Sequence, residues 1–72
     1  ETEYAILRLL MRQIGHVFTA EEIFETVWHE PYLQASNNTI MVHIRNLRKK
    51  IQDDPRDPRF IRTVWGKGYR IE

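Results

Sequence analysis

The sequence predicts an α+β domain in which a three-helix bundle is followed by a C-terminal β-hairpin. Three segments carry apolar residues at helical spacing, and residues 60–71 read as two short strands around a glycine-rich turn. The chain has 72 residues and no cysteine, so a single domain, residues 1–72, must form its core by apolar packing alone.

Residues 3–14 form the first predicted helix, because apolar side chains recur three and four positions apart and Gly15 supplies a C-terminal stop. The stripe expected to face the core consists of Tyr4, Leu7, Leu10, Met11 and Ile14. Residues 16–18 are a short apolar stretch that is suited to one edge strand.

The second helix is predicted over residues 20–29, since Thr19 and Glu22 have the spacing of a capping box and Pro31 prevents continuation. Its predicted buried residues are Ile23, Phe24, Val27 and Trp28. Residues 30–35 then form a loop.

The third helix, residues 37–51, has the clearest helical period, and Ser36, Asn37 and Asn38 are each suitable N-cap residues. The stripe expected to be buried is Ile40, Ile44, Leu47 and Ile51. The opposite, outward side carries Asn38, Val42, Arg45, Asn46 and Lys49, with Thr39 and Met41 at its flanks.

The final segment is predicted to be a hairpin with strands at residues 60–65 and 69–71 and a tip of Gly66, Lys67 and Gly68. Residues 53–58 contain two prolines and three aspartates, which ends the third helix and makes a loop.

Charge is divided between the two halves of the chain. Residues 1–35 hold two basic and six acidic side chains, a net charge of −4, whereas residues 36–72 hold nine basic and four acidic, a net charge of +5. A basic half of this kind can face a polyanion, although it is also compatible with a merely solvated surface.

The outward side of the third helix suits contact with DNA, because a helix about 10 Å across fits the major groove. Arg45 can bind guanine or phosphate, Asn46 can pair with adenine, and Val42 can pack on a thymine methyl group. Backbone phosphates are within reach of His43, Arg48, Lys49 and Lys50. The alternatives are a solvated basic helix and, at the hairpin tip, an ordinary turn with one solvated lysine.

Two runs, SNNTIMVHIRNLRKK at 36–50 and FIRTVWGKGYR at 60–70, resemble the recognition helix and the wing of OmpR/PhoB-type response regulators. The pairs Glu3-Tyr4, Leu9-Leu10 and Val27-Trp28, with Gly15, are similar to the same family's earlier helices. Details such as Asn-Asn-Thr-Ile and Thr-Val-Trp-Gly resemble its vancomycin-resistance, or VanR, type. The resemblance covers essentially the whole chain and implies a winged helix-turn-helix domain for transcription regulation.

The resemblance also implies roles for individual residues. Together with the outward residues of the third helix, it gives the DNA-binding set Asn38, Thr39, Val42, His43, Arg45, Asn46, Arg48, Lys49, Thr63, Lys67 and Tyr69. The resemblance implies mainly phosphate contacts for Thr39, His43, Arg45, Arg48 and Tyr69. Val42 and Asn46 are expected to face bases, and Lys67 to be the contact at the tip of the wing. The sequence departs from the family at Trp65, where many members carry a basic residue that enters the minor groove, and at Asn46, which is often basic.

The partners implied by the resemblance are promoter DNA with direct repeats, RNA polymerase, a second copy of the phosphorylated protein and a sensor histidine kinase acting on a receiver domain. The polymerase contact is expected in the loop at Glu30, Pro31, Tyr32 and Leu33, although these residues also suit an ordinary connection. We expect the chain to be a fragment lacking the N-terminal receiver domain and the strand platform. Exposed apolar surface on the first helix, or a compensating contact there, is therefore expected.

Catalysis is not expected, because the three histidines lie far apart and the chain has no cysteine and no glycine-rich phosphate loop. Neither a cofactor nor a metal ion is implied. The chain has no apolar run long enough to span a bilayer, so we expect a soluble protein, and the absence of cysteine fits a cytoplasmic setting. The competing interpretation is a protein-interaction module that docks through residues 30–35.

Overall fold

The computed structural model describes residues 2–54, 56 and 59–72. Three helices precede a two-stranded antiparallel hairpin, in the order that the sequence predicts. Their bounds are Thr2–Arg12 for α1, Ala20–Trp28 for α2, Ser36–Lys50 for α3, Ile61–Val64 for β1 and Gly68–Ile71 for β2. The predicted α+β class is confirmed. The predicted loop at 53–58 lies partly outside the described residues.

The side of α1 that faces the core differs from the prediction. Its buried residues are Ile6, Leu9 and Leu10. Three members of the predicted stripe are instead more than half exposed: Tyr4, Met11 and Ile14. Apolar residues surround much of this helix, so their spacing defines two adjacent stripes, and packing against α2 and α3 selects one of them.

Apolar surface is indeed exposed on α1, as expected. Leu7, Met11 and Ile14 line a shallow groove of about 290 Å³, which is completed by Ile51, Phe60 and Ile71. The groove therefore lies between α1 and the residues that follow α3.

Helix α1 ends at Arg12, two residues before the predicted end, because the chain turns there towards the hairpin. Gly15 adopts φ +92°, and its N–H donates to the carbonyl of Ile71 at 2.7 Å. A left-handed glycine is therefore the stop that the sequence predicts, and it also attaches the end of α1 to β2.

The predicted edge strand at residues 16–18 is reduced to a single antiparallel bridge between Phe18 and Tyr69. The Phe18 N–H donates to the Tyr69 carbonyl at 2.8 Å, and the Tyr69 N–H donates back at 2.9 Å. One bridge is enough to attach the hairpin to the segment between α1 and α2.

Helix α2 begins with the predicted capping box. The Thr19 hydroxyl accepts from the Glu22 N–H, and the Glu22 carboxylate accepts from the Thr19 N–H, both at 3.0 Å. The helix ends at Trp28, one residue before the predicted end, because His29 takes a left-handed conformation at φ 58°. Ile23 and Phe24 are buried, as predicted.

Helix α3 begins at Ser36, one residue before the predicted start, and Ser36 does not cap it. The Ser36 side chain is buried, and its hydroxyl accepts from the Leu33 N–H at 3.1 Å. Three members of the predicted stripe, Ile40, Ile44 and Leu47, are fully or almost fully buried. The fourth, Ile51, follows the last residue of α3 and is only partly buried. These side chains fix which side of α3 faces outward.

The C-terminus of α3 is closed by a Schellman motif. Gln52 has φ 60°, the Gln52 N–H donates to the Lys49 carbonyl at 3.3 Å, and the Asp53 N–H donates to the Arg48 carbonyl at 2.8 Å. The motif fixes the direction in which the chain leaves α3 towards β1.

The hairpin is the predicted wing, with Thr63 opposite Tyr69 and Val64 opposite Gly68. Its turn comprises residues 65–67, and the Lys67 N–H donates to the Val64 carbonyl at 2.9 Å. Gly68 was expected at the tip, but it begins β2 because it lies against the Phe18–Tyr69 bridge. A Cβ on Gly68 would lie 2.0 Å from the Phe18 carbonyl oxygen, so no larger residue fits.

One core joins all five elements, since each of them contributes at least one apolar residue with almost no exposure. The buried apolar set is Ile6, Leu9, Leu10, Phe18, Ile23, Phe24, Ile40, Ile44, Leu47, Ile61 and Ile71. No helix within residues 2–54, 56 and 59–72 is both long enough and apolar enough to span a membrane.

Candidate nucleic-acid interface

The outward side of α3 lies opposite its buried stripe. Five exposed residues define the surface that we call the reading face: Asn38, Val42, Arg45, Asn46 and Lys49. They combine two amides, one apolar side chain and two cations on about three turns of helix. This mixture supplies both hydrogen-bonding groups for base edges and positive charge for phosphates.

His43 lies on the flank of α3 that faces α1 and α2. Its Nδ1 is hydrogen-bonded to the Glu3 carboxylate, and its ring is 5.4 Å from the Trp28 ring. The side chain is about three-quarters buried. His43, predicted to contact DNA, therefore also links α3 to the two other helices.

Glu3 joins α1 to α3 through both of its carboxylate oxygens. One accepts from His43, and the other accepts from the Lys50 ammonium at 3.1 Å. The hydrogen bonds from His43 and Lys50 lower the pKa of Glu3 from 4.5 to about 2, so the carboxylate stays ionised. Glu3 thereby holds α3, which carries the reading face, against α1.

Arg48 lies on the opposite flank of α3, beside the wing. Its guanidinium donates to the Ile61 carbonyl at 2.8 Å and to the Thr63 hydroxyl at 3.0 Å. Arg48 and Thr63, both predicted to contact DNA, are thus bonded to each other. Arg48 thereby holds β1 against α3.

Asp53 completes the connection between α3 and β1. Asp53 is only 5% exposed. Its carboxylate accepts hydrogen bonds from the backbone N–H groups of Arg59, Phe60 and Ile61 at 2.8, 3.2 and 3.0 Å. Burial alone would raise the pKa of Asp53, but these three hydrogen bonds and the positive charge of Arg48 lower it below 3.8. Ile61 is therefore held at both polar groups, its N–H by Asp53 and its carbonyl by Arg48.

Tyr69, another predicted DNA contact, is half-buried on the wing and packs against the core. Burial raises the pKa of its phenol above 10.0. The hydroxyl therefore remains a neutral hydrogen-bonding group at physiological pH. Thr39, also predicted to contact DNA, is partly buried on the flank of α3 that carries His43.

The tip of the wing is the most open part of the interface. Lys67 is exposed, and the Trp65 side chain is 88% exposed. A cleft of about 460 Å³ separates the wing from the first turns of α2 and α3, and its walls include Trp65, Lys67, Asn37 and Met41. The wing tip and the start of α3 therefore border the same cleft.

In the loop between α2 and α3, Tyr32 faces the core and Leu33 faces solvent. Tyr32 packs its ring edge-on against Phe24 at 6.1 Å, and its N–H donates to the Glu25 carboxylate at 3.1 Å. Leu33 points away and is 68% exposed. Glu30 and Pro31 are exposed as well. Within this predicted loop, Leu33 rather than Tyr32 is therefore the more accessible apolar side chain.

Sequence reasoning did not identify Glu3 or Asp53 as part of the site. Glu3 lies 40 residues from His43, and no local pattern indicates such a contact. Asp53 had a weak signal, because a carboxylate directly after a helix and before a strand can accept backbone N–H groups. Among the residues that the structure describes, no cluster of three or more histidine and carboxylate side chains is arranged to hold a metal ion.

Residues 1–71 match the family described as "Transcriptional regulatory protein, C terminal". The chain is 56% identical over 71 residues to the uncharacterized transcriptional regulatory protein YrkP of Bacillus subtilis. It is 49% identical over 71 residues to the regulatory protein VanR of Enterococcus faecium. Each alignment covers 99% of this chain and 31% of the relative, so the chain spans about a third of their length.

Two solved structures share the architecture. The DNA-binding domain of Klebsiella pneumoniae RstA, in complex with RstA box, superposes with a TM-score of 0.89 at 26% identity, covering 97% of this chain and 68% of that one. Thermotoga maritima DrrB, an OmpR/PhoB homolog, gives a TM-score of 0.82 at 38% identity, covering 97% of this chain and 31% of that one.

The fold and the reading face define a winged-helix DNA-binding domain of the OmpR/PhoB type, which acts in transcription regulation. The chain belongs to the family of C-terminal domains of transcriptional regulatory proteins. The predicted family, including its VanR-type relatives, is confirmed.

Proposed function

We propose that the domain binds promoter DNA sequence-specifically, with α3 in the major groove and the wing at the minor groove. The observation that carries the proposal is the reading face, which places Arg45, Asn46 and Val42 outward on a helix whose other side is fixed in the core. The net charge of +5 on residues 36–72 favours approach to a polyanion.

Within the reading face, Val42 and Asn46 are the candidates for base contacts, and Arg45 binds guanine or phosphate. Asn38 and Lys49, at the two ends of the face, bind the sugar-phosphate backbone. Phosphate contacts provide affinity and salt dependence, whereas base contacts provide preference for one sequence over another.

The flank residues have a double role in this proposal. Glu3 holds His43, and the wing holds Arg48. The nitrogen atoms of these side chains that are not used in those contacts bind phosphates from fixed positions. Thr39, Thr63 and Tyr69 are the further candidates for phosphate contacts. Because Arg48 also holds β1, its replacement is expected to reduce stability as well as DNA affinity.

Selection of bound duplexes from random DNA, followed by affinity measurements across salt concentrations, tests the proposal. Arg45→Ala should weaken binding and reduce the slope of log K against log salt by about 1. Asn46→Ala should relax the preference at one base pair, at a cost of about 1–3 kcal/mol. The matched control is Arg12→Ala, an exposed cation of α1 away from the reading face. Binding without salt dependence or sequence preference would refute the proposal.

The loop at Glu30, Pro31, Tyr32 and Leu33 is the candidate contact with RNA polymerase. Because Tyr32 is held against Phe24, Leu33 is the side chain that a partner would meet first. Leu33→Ser should reduce promoter activation in a transcription assay and leave DNA affinity unchanged. Unaltered activation would identify the loop as a plain connection.

In the full-length context, the domain serves as the output unit of a cytoplasmic response regulator. The relatives' names and the matched DrrB response regulator support this role. A receiver domain, phosphorylated in a phosphorelay from a sensor histidine kinase, would promote dimers on direct repeats. The arrangement of half-sites in the selected duplexes provides the test, since a dimer requires two sites at one fixed spacing.

A further inference from the structure

Trp65 is the most exposed of the large hydrophobic side chains in the described part of the chain, at 88%. The second tryptophan, Trp28, is half-buried and stacks on Phe24 with ring centroids 4.9 Å apart. A tryptophan at a hairpin tip contributes nothing to the core, and its large apolar surface favours contact with a partner. Trp65 is therefore placed for recognition and not for folding.

The turn holds the backbone of Trp65 in a defined position. Gly66 has φ +76°, and the hydrogen bond from the Lys67 N–H to the Val64 carbonyl closes the turn. Trp65 and Lys67 thus lie on either side of one glycine, an aromatic ring beside a cation. The cleft that they line is also bordered by Asn37 and Met41 of α3, so a group that enters it meets both α3 and Trp65.

We propose that Trp65 packs on the deoxyribose edges of the minor groove and donates its indole N–H to a base acceptor there. The proposal rests on the proposed function, in which α3 occupies the neighbouring major groove. Lys67, which lines the same cleft as Trp65, favours DNA as the partner, because a phosphate backbone attracts the cation as the ring meets the sugars.

The chemistry of the contact gives it a base preference. Adenine N3 and thymine O2 are acceptors on the floor of the minor groove, whereas a G·C pair adds the 2-amino group of guanine. That group obstructs the approach of a flat ring and places a donor opposite the indole N–H. Trp65 therefore prefers A·T pairs at the wing position, through a contact that releases no counterions.

Binding measurements with a selected duplex test the proposal, using substitutions at the wing position. Trp65→Ala should weaken binding roughly tenfold with the slope of log K against log salt unchanged, whereas Lys67→Ala should reduce that slope by about 0.9. Exchanging A·T for G·C there should weaken the wild-type protein, and inosine·C, which lacks the 2-amino group, should restore it. Trp65→Phe should retain part of the affinity and lose much of the A·T preference.

Equal affinity of Trp65→Ala and wild type would overturn the inference, and so would an equal response of both proteins to the G·C and inosine·C duplexes. Weaker self-association of Trp65→Ala in sedimentation, without a change in DNA affinity, would instead assign the ring to a second copy. The proposed function is judged separately, because it fails if the wild type binds DNA without salt dependence or sequence preference, whatever the behaviour of Trp65→Ala.

Discussion

At the base of the wing both strands are bound to other parts of the chain, whereas at the tip Trp65 and Lys67 extend into solvent. Strand β1 is held to α3 by Arg48 and Asp53. Strand β2 is held to the segment before α2 by the bridge of Tyr69 with Phe18. The base is therefore fixed by several independent hydrogen bonds.

This difference separates stability from recognition. Substitutions at the base should reduce the free energy of unfolding, and those that leave Arg48, Thr63 and Tyr69 in place should affect DNA binding only through that loss of stability. Substitutions at Trp65 or Lys67 should change binding and leave unfolding almost unaltered, because these side chains contact little of the folded protein. Variants of the base can show how far this separation holds.

The largest effect is expected for Gly68→Ala. The added Cβ would lie 2.0 Å from the Phe18 carbonyl oxygen and 2.9 Å from the Thr19 Cα, which are backbone atoms that cannot move independently. The bridge must open, at a cost of about 3 kcal/mol or more in the free energy of unfolding. Thermal and urea denaturation measure the loss.

Gly66→Ala is the matched control for this prediction. Apart from its two chain neighbours, no described residue has a heavy atom within 4 Å of the Cβ that it adds. Only the left-handed φ of +76° therefore opposes it, at a cost of about 1 kcal/mol. Equal losses for the two variants would show that the Phe18–Tyr69 bridge does not fix the base.

A smaller loss is expected for Asp53→Asn. The asparagine amide has one acceptor oxygen, and an NH₂ group replaces the second oxygen of the carboxylate. The backbone N–H groups of Arg59, Phe60 and Ile61 therefore no longer all have an acceptor. The free energy of unfolding should fall by about 2 kcal/mol. Asp54→Asn is the control, because exposed Asp54 accepts only the Arg56 N–H at 2.9 Å among the described hydrogen bonds.

A pH-dependent loss is expected from Glu3. Its pKa in the folded protein, about 2, lies below the ordinary value of 4.5, so ionised Glu3 stabilises the fold above pH 4.5. This contribution should decline as the pH falls from 4.5 towards 2. Denaturation midpoints for Glu3→Gln should therefore depend less on pH in that range than those of the wild type.

Asp53, whose pKa is also lowered, should contribute acid sensitivity of the same sign, so Glu3→Gln retains part of the dependence. Glu30→Gln, which removes a carboxylate from the exposed loop, is the control for the loss of negative charge alone. If Glu3→Gln and the wild type gave parallel pH profiles, the contact of α1 with α3 would not stabilise the protein.

The sequence could predict what depends on local spacing. The buried stripe of α3, the capping box of α2 and the order of the elements each follow from residues a few positions apart, and each is confirmed. The outward position of Val42 and Arg45 follows from the same stripe, because burial of one side of a helix determines the other.

Contacts between distant segments could not be predicted in the same way. Periodicity placed Met11 and Ile14 in the core, but packing of three elements exposed them. His43 and Arg48 were interpreted by charge and helix position alone, and their partners Glu3 and Ile61 lie 40 and 13 residues away. The tertiary fold decides which polar side chains are already engaged.

The smallest change in the free energy of unfolding, and the only increase, is expected for Gln52→Gly. Gln52 holds φ 60° at the Schellman motif between α3 and β1, a conformation that costs a residue with a Cβ more than glycine. Glycine should raise the free energy of unfolding by about 0.5 kcal/mol, less than its full conformational advantage because it also adds entropy to the unfolded chain. DNA affinity should stay unchanged, since the wing already has its position. A gain in affinity together with stability would show instead that the base of the wing is incompletely ordered before DNA binds.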